Sequence, residues 1–457
     1  MTVIERFAGY LVDLRLDRLA DDERAVLVDH VIDTVGASVA GAHSTEGRAV
    51  LAFNPGRTLT GAKRPGAADP LDALAWRVAA TRSTEIDDIH MGSCTTPGAI
   101  VIPTALTVAA GRASVTGAEL GAAILAGYEA MTRLGRAIGG AAIVYRGVWP
   151  TYFGAPFAAA AVVGRLIGLR PEAMAHALAT ALSMAAGGAG RPRGGIGARW
   201  LLAGNAARSG ALAALAAAEG FTGDTGLLDG DWLETVHGLA ADVAPLADAA
   251  ADPTVLRALS LKPYCSAKQA VAAIHGFSTI IAGGIEPHSI REVRVSVPRA
   301  YAAMIDHGVV AGARLSSLTS APYQLALAGL RPDGLDDVSR DRFIADAPVA
   351  ALMKTVRVEI DDALAAHLPD RYPARVRVTT GSDTREVLVL DAPGDPGARF
   401  DRPAVIAKFR RFTDGQIPAA TQDDLTDAAA CAFDTADGPA RLAGLYAGIF
   451  ARRRGKS

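Results

Sequence analysis

The hydrophobic period of this chain changes twice, and that pattern limits the folds open to it. From the start to about residue 260 the apolar positions recur at helical spacing. Val28, Val31, Ile32 and Val35 fall at i, i+3, i+4 and i+7, one face of a helix that begins after Asp21 and Asp22. Segments 156–169 and 208–219 are dominated by alanine, the best helix former. Aromatic residues make up only 5% of the chain, so the small side chains predict closely approaching helices rather than a sheet. The period then becomes two. Val293, Val295 and Val297 alternate with polar residues, as do Val356, Val358 and Ile360. Val376 and Val378 face Val387 and Val389 across Gly381, Ser382 and Asp383, the pattern of a hairpin. Segments 267–281 and 316–330 between these runs read as helices. After about residue 400 the helical spacing returns, with Leu442, Leu445, Tyr446 and Ile449 on one face. The expected fold class is mainly α. Residues 1–263 plus 402–457 form a large all-helical domain, discontinuous in sequence, and residues 264–401 an inserted smaller α+β lid domain.

The 457 residues support a large core and more than one domain. A formal net charge of −2 argues against nucleic acid as a partner. The one basic run, Arg452, Arg453, Arg454 and Lys456, reads as a solvated helix end. Cys94, Cys265 and Cys431 lie far apart without CxxC spacing, so neither a disulfide framework nor a zinc site is indicated. The first residues carry Glu5, Asp13, Arg15 and Asp17 and read as an amphipathic helix, not a signal peptide. Apolar runs are broken by charge, proline or glycine in a way that does not suit a membrane span. The expectation is a soluble cytoplasmic protein.

Within the apolar first half, ionisable groups gather abruptly at Glu85, Asp87, Asp88 and His90. Charges are rarely buried unpaired, so such a knot either faces water as a helix-capping loop or lines a cleft. The apolar flanks favour the cleft, placed between the two domains where small-molecule sites commonly lie. Four further segments can supply chemistry to it. Residues 146–156 bring Trp149, Thr151 and Tyr152. Residues 187–200, GGAGRPRGGIGARW, combine glycine-rich backbone with Arg191, Arg193 and Arg199, a composition suited to an anion or to a plain flexible linker. It is no dinucleotide fingerprint, since no strand precedes it and the glycine spacing is wrong. LKPYCSAKQA gathers Lys262, Tyr264, Cys265 and Lys268, and ARLSSLTSAPYQLALA brings Arg314, Ser316 and Tyr323. His30, His176 and His237 lie in or beside helical apolar stretches and read as core or surface residues.

In this order the segments resemble the MmgE/PrpD family over nearly the whole chain. EIDDIH followed by PGAIVIPTAL is similar to the family's "DFDD…HPS…VLPAAL" segment. GVWPTYFGAPFAAAAVVGRLIGL is similar to its "GFHPTSTLGPFGAAAAAARLLGL" type. ARWLLAGNAARSG with its GFTGDTGLLDG continuation, and LKPYCSAKQAVAAI, match two more. The resemblance implies a helical domain with an α+β lid, a homodimer, no metal and no organic cofactor, and proton movement at carbon next to a carboxylate of a small acid. Positions carried over in kind are Asp87, Asp88, Lys262, the ring of Tyr264, and Tyr323. Where the family's dehydratase and decarboxylase members place histidines, this chain has Thr95 or Thr96, and Trp149. Arg199 stands at the position of a lysine, and Leu202 at that of a further histidine.

Taken with the residue chemistry, the expectation is a lyase, in the first place a hydro-lyase. An epimerase or isomerase, or a non-catalytic carboxylate binder, are the alternatives. Removing a proton beside a carboxylate needs a base and cations to hold the displaced charge. His90 is the first candidate base, its tautomer and raised pKa set by Asp87 and Asp88. Lys268 is the second, with Tyr152 and Cys265 behind it. Arg199, with Arg191 or Arg193, and Lys262 are the expected carboxylate-binding cations. Thr95, Thr96, Trp149, Tyr264, Cys265 and Tyr323 complete the expected binding set.

Overall fold

A computed structural model describes residues 1–53, 69–186, 188 and 198–451. Mainly helical, it has its buried apolar residues divided between two large cores. The first core draws on residues from Val3 to Leu261 and then, after a long gap, on Val405, Phe409, Leu425, Leu442 and Tyr446. The C-terminal helices Arg402–Thr413, Ala419–Ala430 and Gly438–Ile449 therefore pack on the first half of the chain, chiefly against the Asp21–His43 and Gly98–Ala110 helices.

The second core holds a sheet of four strands, β1 (Glu292–Val297), β2 (Val356–Ile360), β3 (Ala374–Thr379) and β4 (Thr384–Val389). Their spatial order is β2-β1-β3-β4. β1 runs parallel to β2 and antiparallel to β3. The hairpin β3–β4 pairs Val376 with Val387, and Val293, Val295 and Val297 turn inward, as their alternation requires. The helices Lys268–Ala282 and Ala321–Leu330 complete this core. Segment 316–330 is not one helix: a turn ends at Thr319, and Ser320 caps a new helix whose second residue is Pro322. Proline lacks the N–H that a continuing helix needs and is at home in a first turn.

Two helices, Asp21–His43 and Ala198–Ala218, are long and apolar enough by length and composition to cross a membrane. Reading the sequence for uninterrupted apolar runs passed over both. In the first, 83% of the apolar window is buried inside the protein, as in the core helix of a globular fold.

Alanine and glycine set how closely the helices approach. A side chain built on Gly204 would lie 2.1 Å from the carbonyl oxygen of Ala75, and one on Gly210 2.0 Å from that of Pro156. Backbone meets backbone there, so no neighbour can swing aside. The Ala198–Ala218 helix is thereby locked against Pro70–Arg82 on one side and Pro150–Ile167 on the other. Gly9, in the Val3–Asp13 helix, has nothing within 4 Å. The two positions give opposite expectations. Gly210→Ala lowers the denaturation free energy by about 1–3 kcal/mol, the scale of overpacking. Gly9→Ala raises it by roughly 0.5–1 kcal/mol through helix propensity. Urea titration of the two variants checks both signs.

Candidate active site

A cavity of about 620 Å³ opens between the two cores. It receives Arg82 from the end of the Pro70–Arg82 helix, Glu85 from the loop that follows, and Arg199 from the Ala198–Ala218 helix. Lys262 and Lys268 enter from the stretch joining the first core to the second. A two-residue antiparallel ladder, Ile89–His90 against Leu259–Ser260, ties the acidic loop to that stretch. Segments 170 residues apart are thus held beside each other by backbone hydrogen bonds.

The acidic loop is a buried ion network. Arg82 lies 3.0 Å from Glu85 and 3.3 Å from Asp87, and Lys262 lies 3.5 Å and 3.3 Å from the same two carboxylates. Burial alone would raise the pKa of Glu85; Arg82, Lys262 and Arg199 outweigh it and hold the group at about 2. Asp87 sits deeper and goes the other way: burial raises it against the pull of the same cations, and its Oδ2 has no hydrogen-bond partner among the described residues. Glu85 (φ 58°) and Cys94 (φ 53°) both take left-handed backbone, which side-chain-bearing residues rarely adopt. The strain frames the loop that faces the cavity, a common location for it. Lys408 fixes the same loop from behind, donating to the Ile86 carbonyl (2.8 Å) and pairing with Asp33 (2.6 Å).

Arg199 is held differently. Its guanidinium lies 4.3 Å from the Trp149 ring centre and 4.9 Å from that of Trp200, and its Nε donates to the Tyr152 hydroxyl (3.2 Å). Among the described residues no carboxylate forms an ion pair with it. Its charge acts on Glu85 without forming an ion pair, and a planar cation stacked on indoles can receive a further anion in bidentate fashion. Lys268 is the first residue of the Lys268–Ala282 helix and pairs with buried Asp395, which also accepts from Ser260 Oγ. Burial lowers the Lys268 pKa and Lys262 adds to this, while Asp395 opposes it. The positive end of the helix dipole acts in the lowering direction.

The structure corrects the expectation for His90. Neither acidic neighbour holds its imidazole. Asp88 accepts from the Gly98 N–H (2.8 Å) and the Tyr128 hydroxyl (2.7 Å) and pairs with His30 at 2.8 Å, while Asp87 serves Arg82 and Lys262. His90 Nδ1 instead accepts from the Ser93 N–H (3.1 Å), and the ring is not among the groups lining the cavity. Its pKa is lowered, not raised: burial, reinforced by Arg136, takes it to about 4.

Of the other expected residues, Thr96 and Trp149 line the cavity. Thr95 and Tyr152 stand behind it, Thr95 bonded to Ser93 and Tyr152 to Arg199. The structure does not bring Tyr264, Cys265 or Tyr323 to the lining. Cys265 donates to the Thr84 carbonyl, its thiol raised by burial, and Tyr323 lies in the second core. Arg191 and Arg193 lie outside the described residues. Sequence reasoning missed Arg82 and Asp395. Arg82 was open to discovery, since it ends the helix just before the acidic knot. Asp395 offered no signal, standing 127 residues from its lysine partner in a proline-glycine loop. Among the described residues no three His, Cys, Asp or Glu side chains gather as metal ligands.

The class that fold and cavity define is a mainly helical protein with a cation-lined cleft between a helical core and a sheet-bearing core. The MmgE/PrpD N-terminal domain matches residues 5–241 and the MmgE/PrpD C-terminal domain residues 264–433, so the chain belongs to the MmgE/PrpD family. A stretch of 166 residues is 32% identical to cis-aconitate decarboxylase of Aspergillus terreus, and the same figures hold for the protein of strain NIH 2624. That match covers 35% of this chain and only 33% of the relative.

The neutral, buried His90 carries a pH expectation. A histidine whose pKa falls from 6.5 to about 4 on folding stabilises the fold fully above pH 6.5. That contribution is lost as pH falls through 4, because the unfolded chain binds the proton first. Chemical denaturation across this range should show stability dropping toward acid, with a weaker slope in His90→Gln.

Proposed function

We propose that the chain is a lyase that removes a proton from carbon adjacent to a carboxylate of a small acid, with elimination of water as its leading form. The observation that carries the reading is the convergence of Arg199, Lys262 and Lys268 on one cavity, with Arg199 unpaired by any described carboxylate. Arg199 takes the substrate carboxylate on the guanidinium edge that no described residue occupies. Lys262 and Arg82, oriented by Glu85, stabilise the charge that moves onto that carboxylate as the C–H bond breaks. Lys268 is the base in place of His90. The residue lines the cavity, and burial and Lys262 favour the neutral form it needs, against the pull of Asp395. Electrons from the broken C–H bond form the carbon–carbon double bond. The hydroxyl on the next carbon departs as water with the proton that Lys268 took from carbon, which returns the amine to its neutral form. Asp395 is a positioning residue that holds the Lys268 amine. The curated relative's name, a decarboxylase, supports lyase chemistry of this general kind.

The test is incubation with a panel of 2- and 3-hydroxy acids in deuterated water. New alkene absorbance supports elimination. Deuterium uptake without loss of water or carbon dioxide would replace the reading with epimerisation or isomerisation. Arg199→Ala should cost at least ~2 kcal/mol in kcat/KM, the scale of a lost charge-assisted contact. Lys268→Met should lower kcat by ~10²-fold or more, measured beside the double variant Asp395→Asn/Lys268→Met, in which no unpaired carboxylate is left in the interior. For a base, activity rises with pH through its pKa, and Lys268 sits below the ordinary 10.5. Asp395→Asn removes a charge that raises that pKa, so the ascending limb should move to lower pH. A limb that stays in place in both Lys268→Arg and Asp395→Asn would refute the assignment.

A further inference from the structure

The charged groups account for only part of the cavity wall. Ala142 and Val144 come from the helical turn Gly140–Arg146, Ala300 and Met304 from the Arg299–Ile305 helix, and Leu315 and Leu318 from the Arg314–Thr319 helix. Rings of Tyr301 and Tyr372, 5.4 Å apart, add to this surface. Their hydroxyls are turned to the protein: Tyr301 donates to the Pro373 carbonyl (2.5 Å) and Tyr372 to that of Met91 (3.3 Å). Thr319, also in the wall, uses its hydroxyl on the Leu315 carbonyl (2.8 Å) and on His307 (2.9 Å). Arg136 also lines the cavity; it lies 3.3 Å from Asp252 and is 42% exposed. Along the part of the wall formed by Ala300, Tyr301, Met304, Leu315, Leu318 and Thr319 the hydroxyls are engaged elsewhere, and what remains toward the cavity is hydrocarbon.

A compact acid bearing several carboxylates does not suit such a wall. A carboxylate set against this apolar part of the wall would lose water and gain no donor from it, which costs several kcal/mol per ion. The volume of about 620 Å³ lies within the range of roughly 300–1,000 Å³ that encloses ligands of drug size. From these observations we infer that the substrate is a carboxylic acid carrying an apolar tail, its carboxylate on Arg199 and Lys262 and its tail along the Tyr301, Met304 and Val144 wall. The inference rests on the carboxylate-binding reading above and narrows it to a substrate class.

Calorimetric titration of the full chain with butyrate, hexanoate and octanoate, and with citrate as the compact comparison, tests it. Affinity should rise about 3-fold or more per added methylene, the equilibrium equivalent of burying one such group. The heat-capacity change should grow more negative along the series. Ala300→Asp, at an exposed position of the wall, should flatten the series, whereas Arg199→Ala should weaken every member. If citrate binds more tightly than octanoate, or the wild-type series is flat while butyrate still binds, the tail is refuted and the carboxylate site survives. If no acid binds at all, the carboxylate reading itself fails, and the tail with it.

Discussion

Everything at the cavity depends on one buried ion network, Arg82 and Lys262 against Glu85 and Asp87. Placing four ionisable groups away from water costs several kcal/mol per ion, and mutual attraction offsets that only when the geometry is complete. The fold supplies this geometry from every side. Arg82 ends one helix, Lys262 enters from the segment between the cores, the short ladder at Ile89–His90 holds the two together, and Lys408 grips the loop from the C-terminal helices. Left-handed backbone at Glu85 is the local strain that this arrangement sustains. Removing one partner would leave an unpaired charge in the interior, so the network couples the site to the stability of both cores. It also bears on the proposed binding of an anion in the cavity. Burial pushes Asp87 toward protonation, which lessens the negative charge opposing Arg82 and Lys262, while Arg199 stands nearby on its indoles.

Much of the fold was legible because burial imposes period on sequence. The valines of β1 and β3 alternate because one face of each strand is dry, whereas β2 keeps the period with Ile360 exposed. In the hairpin Val376 meets Val387 as read, but Val378 meets Arg385 and Val389 meets Ala374. The return of the C-terminal helices to the first core could be read from their restored helical spacing. Exact helix starts were less legible. The Ala198–Ala218 and Pro150–Ile167 helices begin well before the alanine-rich stretches that announced them, because packing against neighbouring helices extends them beyond what propensity alone marks.

The site was legible where chemistry is concentrated in sequence and illegible where it is assembled across distance. The acidic knot, Arg199, Lys262 and Lys268 all stood out, and all but Asp88 of those carboxylates and cations meet at or just behind the cavity wall. His90 misled because proximity in sequence was taken for proximity in space. Asp88 faces the other way, toward His30, 58 residues earlier, and toward Tyr128. His30 read as an ordinary core histidine. Buried it is, but as the hydrogen-bonded partner of that carboxylate, a relation no local pattern could carry. Trp149, read from the resemblance as standing where a histidine is expected, is the side chain that stacks on Arg199 and gives the cation a platform.

The most direct measurement is a crystal structure of the chain grown with a slowly turned-over hydroxy acid. The expected result is a carboxylate within hydrogen-bond distance of the Arg199 guanidinium, Lys262 close by, and the Lys268 amine facing the adjacent carbon. An acid bound outside this cavity, or Arg199 swung away from Trp149 toward solvent in its presence, would contradict the central claim.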